Sequence, residues 1–200
     1  MKTIDYGKCG KYLSYMFWML IPNIISGLLT NENLGGKSQA MFIVGTAIHI
    51  VCLIAYAFFL WQLQTEEELY RTAAIIYLAG AVWSVIDDLI LRNTKSIALS
   101  ILFGIIGMAI AFAQIYFLYE AHSTITEEAD PELSEKWMVL RKRYFIAQGL
   151  VAAGVVLLFI PVLAALCAIV GGIMLIVMGI LELVYLYRSA QACKKQQQGM

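Results

Sequence analysis

The chain has 200 residues, of which 61% are hydrophobic and only 14% charged, with a formal net charge of zero and a mean hydropathy of +0.77. A soluble domain carries about 25% charged residues and cannot hide this much apolar surface, so a water-soluble globular fold is excluded. Zero net charge leaves no global field to hold nucleic acid. The bilayer is then the solvent. Backbone polar groups must be satisfied inside helices, and the fold class is an all-α polytopic membrane protein.

Apolar runs predict six transmembrane helices near 12–29, 40–63, 68–91, 96–120, 133–160 and 162–188. Each has the roughly 20 residues needed to cross about 30 Å of hydrocarbon. Lys2, Lys8 and Lys11 precede the first run, as in a signal peptide, but no small-x-small cleavage site follows and the segment reads as a retained helix. Thr65 and Glu68 have capping-box spacing ahead of the third helix. Segment 121–132, which contains His122, reads as the one long loop. Asp130-Pro131 then supplies an N-cap and a first-turn proline for the fifth helix. Trp137, Leu140 and Tyr144 share one side of that helix and suit a membrane interface. Apart from Glu182, residues 144–187 carry no charge, and Pro161 is the natural break between helices five and six.

Three of the runs end in an aromatic–Leu–aromatic triplet: Phe59-Leu60-Trp61, Phe117-Leu118-Tyr119 and Tyr185-Leu186-Tyr187. A shift of 58 residues carries the first onto the second, and a shift of 68 carries the second onto the third. The second shift also places Gly104 on Gly172 and Gln114 on Glu182. This pattern predicts three tandem hairpins, approximately 10–65, 66–122 and 131–190, within a single transmembrane domain spanning 1–200. With the N-terminus inside, the cytoplasmic basic residues are Lys2, Lys8, Lys11, Arg71, Lys136, Arg141, Lys142, Arg143, Arg188, Lys194 and Lys195, against Lys37, Arg92 and Lys95 outside. That asymmetry predicts a multi-pass plasma-membrane protein with both termini cytoplasmic and the triplets at the inner interface.

Polar residues inside apolar helices are the candidate functional residues. Asp87 and Asp88 lie near the outer end of helix three, with Arg92 placed to pair with Asp88 at i, i+4. They read either as an acidic turn solvated from outside or as a site taking up a cation or proton. His49, about nine residues into helix two, has a depth of roughly 13 Å and is either a proton relay or an interhelical hydrogen-bonding residue. Asn23, His49, Ser84 and Asp87 are placed to converge on an outward-facing cavity. Glu182 and its repeat equivalent Gln114 point to a shared interior face and a mutual contact. Gly104, Gly107, Gly149, Gly154, Gly171, Gly172 and Gly179 suit close helix packing. The acidic runs 66–68 and 127–135 read as solvated helix starts.

Motifs for catalysis or metal binding are weak. Glu66-Glu67-x-x-x-Arg71 matches one element of intramembrane CAAX proteases, but neither His49 nor His122 has the phenylalanine four residues earlier that the second element requires. Gly35-Gly36-Lys37-Ser38 lacks the first glycine and the strand of a phosphate-binding loop. Cys52 and Cys167 sit in apolar helices and Cys9 and Cys193 in the terminal tails, with no CxxC pair, so neither a disulfide framework nor a metal site is expected, and no cofactor. The expectation is a protein that is not an enzyme, whose partners are the lipid bilayer and a second copy of itself or another membrane protein.

The last hairpin adds a resemblance. Residues 149–154, Phe159-Ile160-Pro161 and 172–182 resemble the HdeD-like family of small six-helix bacterial membrane proteins in glycine spacing, the turn proline and a GIxLIxxGI-type sixth helix. The resemblance covers about 40 residues, and the first two hairpins lack the regular glycines and turn proline. It implies a structural or stress-response role associated with acid resistance and carries no catalytic residues. The alternative is a small proton- or cation-linked transporter or channel using Asp87, His49 and Glu182.

Overall fold

A computed structural model describes residues 4–30, 38–93, 96–157 and 160–199; among these, the side chains of 88, 89, 91–93, 97 and 98 are outside the description. Six α-helices account for the described chain, with no strand among the described residues: α1 (Tyr6–Thr30), α2 (Gln39–Leu63), α3 (Leu69–Asn93), α4 (Ile97–Thr126), α5 (Pro131–Val156) and α6 (Pro161–Gly199). Five of them are long and apolar enough to cross a membrane. The exception is α5, because Lys136, Arg141, Lys142 and Arg143 occupy its first half.

Local chemistry sets several of these limits. The Leu133 N–H donates to Asp130 Oδ1 at 3.0 Å, with Pro131 in the first turn, as the sequence predicts. The Leu99 N–H donates to Ser96 Oγ at 3.4 Å to open α4. Helix α6 begins at Pro161, confirming the proposed break. At the start of α3 the predicted Thr65–Glu68 capping box is replaced. The Leu69 N–H donates to the Glu67 carboxylate at 3.2 Å, while Thr65 turns its hydroxyl to Glu66. The terminal helices are longer than expected, since α1 starts at Tyr6 and α6 runs on to Gly199, and each extension covers the other. Gly10 lies so close to α6 that a methyl there would meet the Ala190 carbonyl oxygen at 3.1 Å.

Neighbours in sequence pack as neighbours in space from α1 to α6, and α6 returns against α1, so the helices form a closed ring with an additional α4–α6 contact. The core fills one end of this ring. Every helix contributes to it: Leu13 and Met16, Leu60 and Leu63, Tyr70, Leu118 and Ile125, Leu133 and Trp137, and Leu186, all essentially inaccessible. This is the end where α1 begins and α6 finishes. Toward the other end large apolar side chains face outward, Val156 at 72% and Val162 at 81% exposure. Water would not tolerate such a surface over several helices, whereas acyl chains solvate it.

Three expectations are corrected here. Segment 121–132 is not a loop throughout, because α4 continues to Thr126 with His122 1% exposed. Trp137 and Tyr119 lie in the core, not at an interface, while Trp61 and Tyr187 of the other triplets do face outward. Cys9 and Cys193 lie fully buried where α1 meets α6, not in loose tails.

The glycines divide. Gly154 and Gly171 allow α5 and α6 to touch, whereas Gly104, Gly149, Gly172 and Gly179 have nothing within 4 Å of where a Cβ would stand, so close packing does not explain them.

Candidate functional site

Two polar groups lie within the ring, joined by a small cavity. The first is a hydrogen bond between His49 Nδ1 on α2 and Asn23 Oδ1 on α1, at 2.8 Å. With an amide oxygen as acceptor, Nδ1 carries the proton in this pair. Asn23 is set one residue after Pro22 inside α1, and its own carbonyl accepts from Ser26 Oγ at 2.6 Å. Asn23 also lines a cavity of about 50 Å³ with Met19, Leu20, Cys52, Leu53, Tyr56 and Tyr77.

The far wall of that cavity belongs to the second group. Tyr56 and Tyr77 stack with ring centroids 4.9 Å apart. Both are within electrostatic reach of the Glu182 carboxyl on α6, as are Tyr119 on α4 and Tyr144 on α5. The carboxyl of half-buried Glu182 is thus within electrostatic reach of phenols from four other helices. Tyr119 faces it most directly. The hydroxyls of Tyr119 and Tyr56 are nevertheless buried without a protein partner at normal hydrogen-bond distance, so Glu182 stands opposite Tyr119 at longer range. A buried hydroxyl left unpaired costs about 1–3 kcal/mol, and two around one carboxyl mark a polar spot inside an otherwise apolar bundle.

The remaining predicted residues are distributed differently. Gln114 does not reach Glu182; its amide lies over Gly80 of α3, where a Cβ would collide with Nε2. The neighbour of Gln114 at that turn of α4 is α3. Ser84 gives its hydroxyl to the Ala81 carbonyl of its own helix at 2.9 Å, not to a shared cavity. Asp87 is half-buried on α3, and the Asp88 and Arg92 side chains lie outside the described residues, as does the Gly35–Lys37 turn. Of the anticipated convergence, the structure brings together Asn23 and His49. Glu66 lies at the opposite end of the ring from that pair, so the protease-like residues are not assembled around His49.

One cluster was missed from the sequence. Tyr70 Oη on α3 bonds His122 Nδ1 on α4 at 2.7 Å, and the His122 ring lies 4.6 Å from that of Trp137 on α5. Trp137 Nε1–H donates to Ser189 Oγ on α6 at 2.9 Å. His122 Nε2 is buried without a protein partner. The legible signal was the spacing Leu118, His122, Thr126, which continues the inner face of α4 past its predicted end.

Around this end polar ties bind the terminal segments. Glu66 accepts the Asp5 N–H at 2.9 Å and pairs with Lys8 at 3.4 Å, so it is not a merely solvated helix start. Burial pushes the Glu66 carboxyl up, but the Asp5 N–H, the Thr65 hydroxyl and Lys8 together hold it below the usual carboxylate range. Arg188 pairs with Asp130 at 3.6 Å, and Tyr6 Oη donates to Glu128 at 2.7 Å. Arg141 pairs with Glu120 and lies 4.7 Å above the Tyr116 ring. Among the described residues, no group of three His, Cys, Asp or Glu side chains is placed to hold a metal ion. Comparison with known protein families, curated proteins and solved structures finds no match for this chain.

Proposed function

We propose that this chain is a six-span protein of a bacterial-type plasma membrane, with both termini cytoplasmic and a structural or stress-response role of the acid-resistance type. The spans rest on five apolar helices and on the place of α5, which packs between α4 and α6 in the ring. The apolar stretch from Tyr144 to Val156 then lies in the bilayer, and the basic turns before it lie at the inner surface. The orientation rests on the Lys and Arg asymmetry, and the stress-response direction on the HdeD-like character of the last hairpin.

The observation that carries the structural role is the packed core at the end bearing both termini. Side chains from all six helices meet there, and Trp137, Tyr70, Leu60 and Leu186 are completely buried. This end acts as a plug that binds the ring together. Its partners are the bilayer and a second copy or another membrane protein.

A second reading, a small proton- or cation-linked transporter, is favoured by the polar groups beyond the plug: the Asn23–His49 bond, the cavity and Glu182. Proteoliposomes loaded with a pH-sensitive dye and given a pH or cation gradient separate the two. The structural role expects flux equal to that of empty vesicles. Flux that is lost in Asp87→Asn or Glu182→Gln overturns it in favour of transport. Thiol labelling checks the orientation, with Lys37→Cys reacting from outside intact cells and Glu127→Cys only after permeabilisation; the reverse pattern inverts the topology.

A further inference from the structure

Glu182 sits on an unbroken helix: α6 runs from Pro161 to Gly199 without interruption. Its backbone carbonyls are therefore committed to the helix, and a metal cation would find none of the unwound carbonyls that intramembrane sodium sites use. What the site offers is one carboxyl and phenol hydroxyls from α2, α3, α4 and α5. Two of those hydroxyls are buried without a protein partner. The cavity of about 50 Å³ beside Tyr56 and Tyr77 has room for one or two water molecules, with Asn23 as a polar wall on the side of His49.

We propose that Glu182 binds a single proton, delivered through this cavity from the Asn23–His49 side. The carboxylate takes the proton from hydronium, giving a carboxylic acid and water. The acid can then donate to a neighbouring phenol oxygen, which gives an orphaned hydroxyl a partner. The gap at Tyr119 is what such a swing of the carboxyl would close.

The groups facing Glu182 are Tyr144 of α5, Tyr119 of α4, Tyr77 of α3 and Tyr56 of α2, none charged at neutral pH. The ionisable groups of α1 are engaged at the plugged end: Tyr6 with Glu128, Lys8 with Glu66, and Lys11 over the Tyr12 and Tyr15 rings. On α5, Arg141 is held by Glu120, Lys136 by Glu132, and Arg143 lines a surface groove with Leu181 and Tyr185. Arg188, six residues further along α6, is held by Asp130.

The proposal rests on the membrane reading, which keeps bulk water from the site, but not on transport. Infrared difference spectra of the full chain in lipid nanodiscs, recorded between acid and alkaline pH, test it. The expected result is a carbonyl band of a protonated carboxyl that titrates in wild type, is lost in Glu182→Gln, and is displaced in Tyr119→Phe. Replacing choline with sodium at fixed pH should leave the band in place. A band that survives Glu182→Gln, or the absence of any titrating band, overturns the proposal, and suppression of the band by sodium reassigns the site to a metal cation. If Glu182→Gln does not fold, an unmoved band in both Tyr119→Phe and Tyr56→Phe overturns it, and displacement in either supports it. Titration without vesicle flux leaves the proton site standing beside a structural role, so failure of the two readings is distinguishable.

Discussion

Gly171 and Gly172 are adjacent on α6 and should respond oppositely to the same substitution. A Cβ on Gly171 would stand 2.8 Å from Val151 Cγ2 and 3.1 Å from both the Ala147 carbonyl oxygen and the Val151 nitrogen of α5. Two of those atoms are backbone, so relief requires the helices to part. At Gly172 nothing lies within 4 Å. Both changes to alanine gain about 1 kcal/mol of helix propensity. Only Gly171→Ala also incurs an overpacking cost of about 1–3 kcal/mol. Gly172→Ala should thus stabilise by up to about 1 kcal/mol, and Gly171→Ala should range from neutral to about 2 kcal/mol destabilised. The two variants then differ by about 1–3 kcal/mol, or roughly 5- to 150-fold in the unfolding constant. Reversible unfolding in mixed micelles, followed by circular dichroism, measures the difference. Equal stability of the two variants would refute the α5–α6 packing described above.

Three further outcomes follow from contacts at the plugged end. Ser189→Ala strands the buried Trp137 N–H and should cost about 1–3 kcal/mol, while the double change with Trp137→Phe should cost less than the sum of the single changes by about 1 kcal/mol. Additive losses in that double-mutant cycle would mean that the bond contributes nothing. Cys9 and Cys193 face each other across the α1–α6 seam, so a mild oxidant should link them in a Cys52→Ala, Cys167→Ala background. Proteolysis between the two halves would then release the termini as one joined fragment, and separate fragments would disprove the seam. Glu66 is held below the ordinary carboxylate range, so its tie to Asp5 is complete above the unfolded-state pKa and is lost as pH falls through the lower folded-state value. The protection factor of the Asp5 amide, its exchange rate divided into the intrinsic rate at each pH, should fall in acid in wild type and become independent of pH in Glu66→Gln; a wild-type protection factor that does not change with pH would remove Glu66 from the tie.

The parts of the fold legible in the sequence were those governed by local rules. Long apolar runs marked the helices, Asp130-Pro131 marked the start of α5, and Pro161 marked the start of α6. Leu60, Leu118 and Leu186, the centres of the three triplets, are all fully buried in the shared core. The triplet leucines therefore mark a core position, although the triplets were read as an interface signal. What escaped depended on partners distant in the chain. His122 carries a polar side chain near a run of loop-like residues, and its burial follows from Tyr70 and Trp137, which reach it from α3 and α5. Cys9 and Cys193 looked like tail residues because only closure of the ring brings the ends together. At the candidate site, a Pro-Asn pair and a lone histidine were visible as polar intrusions, and they proved to be bonded partners. The four tyrosines around Glu182 were invisible for a different reason. Spread over four helices, they look like ordinary membrane aromatics until the ring places them around one carboxyl.

The α1–α6 seam also imposes an order on biogenesis. The face of α1 that carries Cys9 and Gly10 is covered by Ala190, Cys193 and Lys194, residues translated some 180 positions later. At about 5–20 residues per second, α1 waits on the order of 10–40 s in the membrane with that flank open. A ribosome stalled before α6 would leave that flank uncovered on an unsealed arc of five helices.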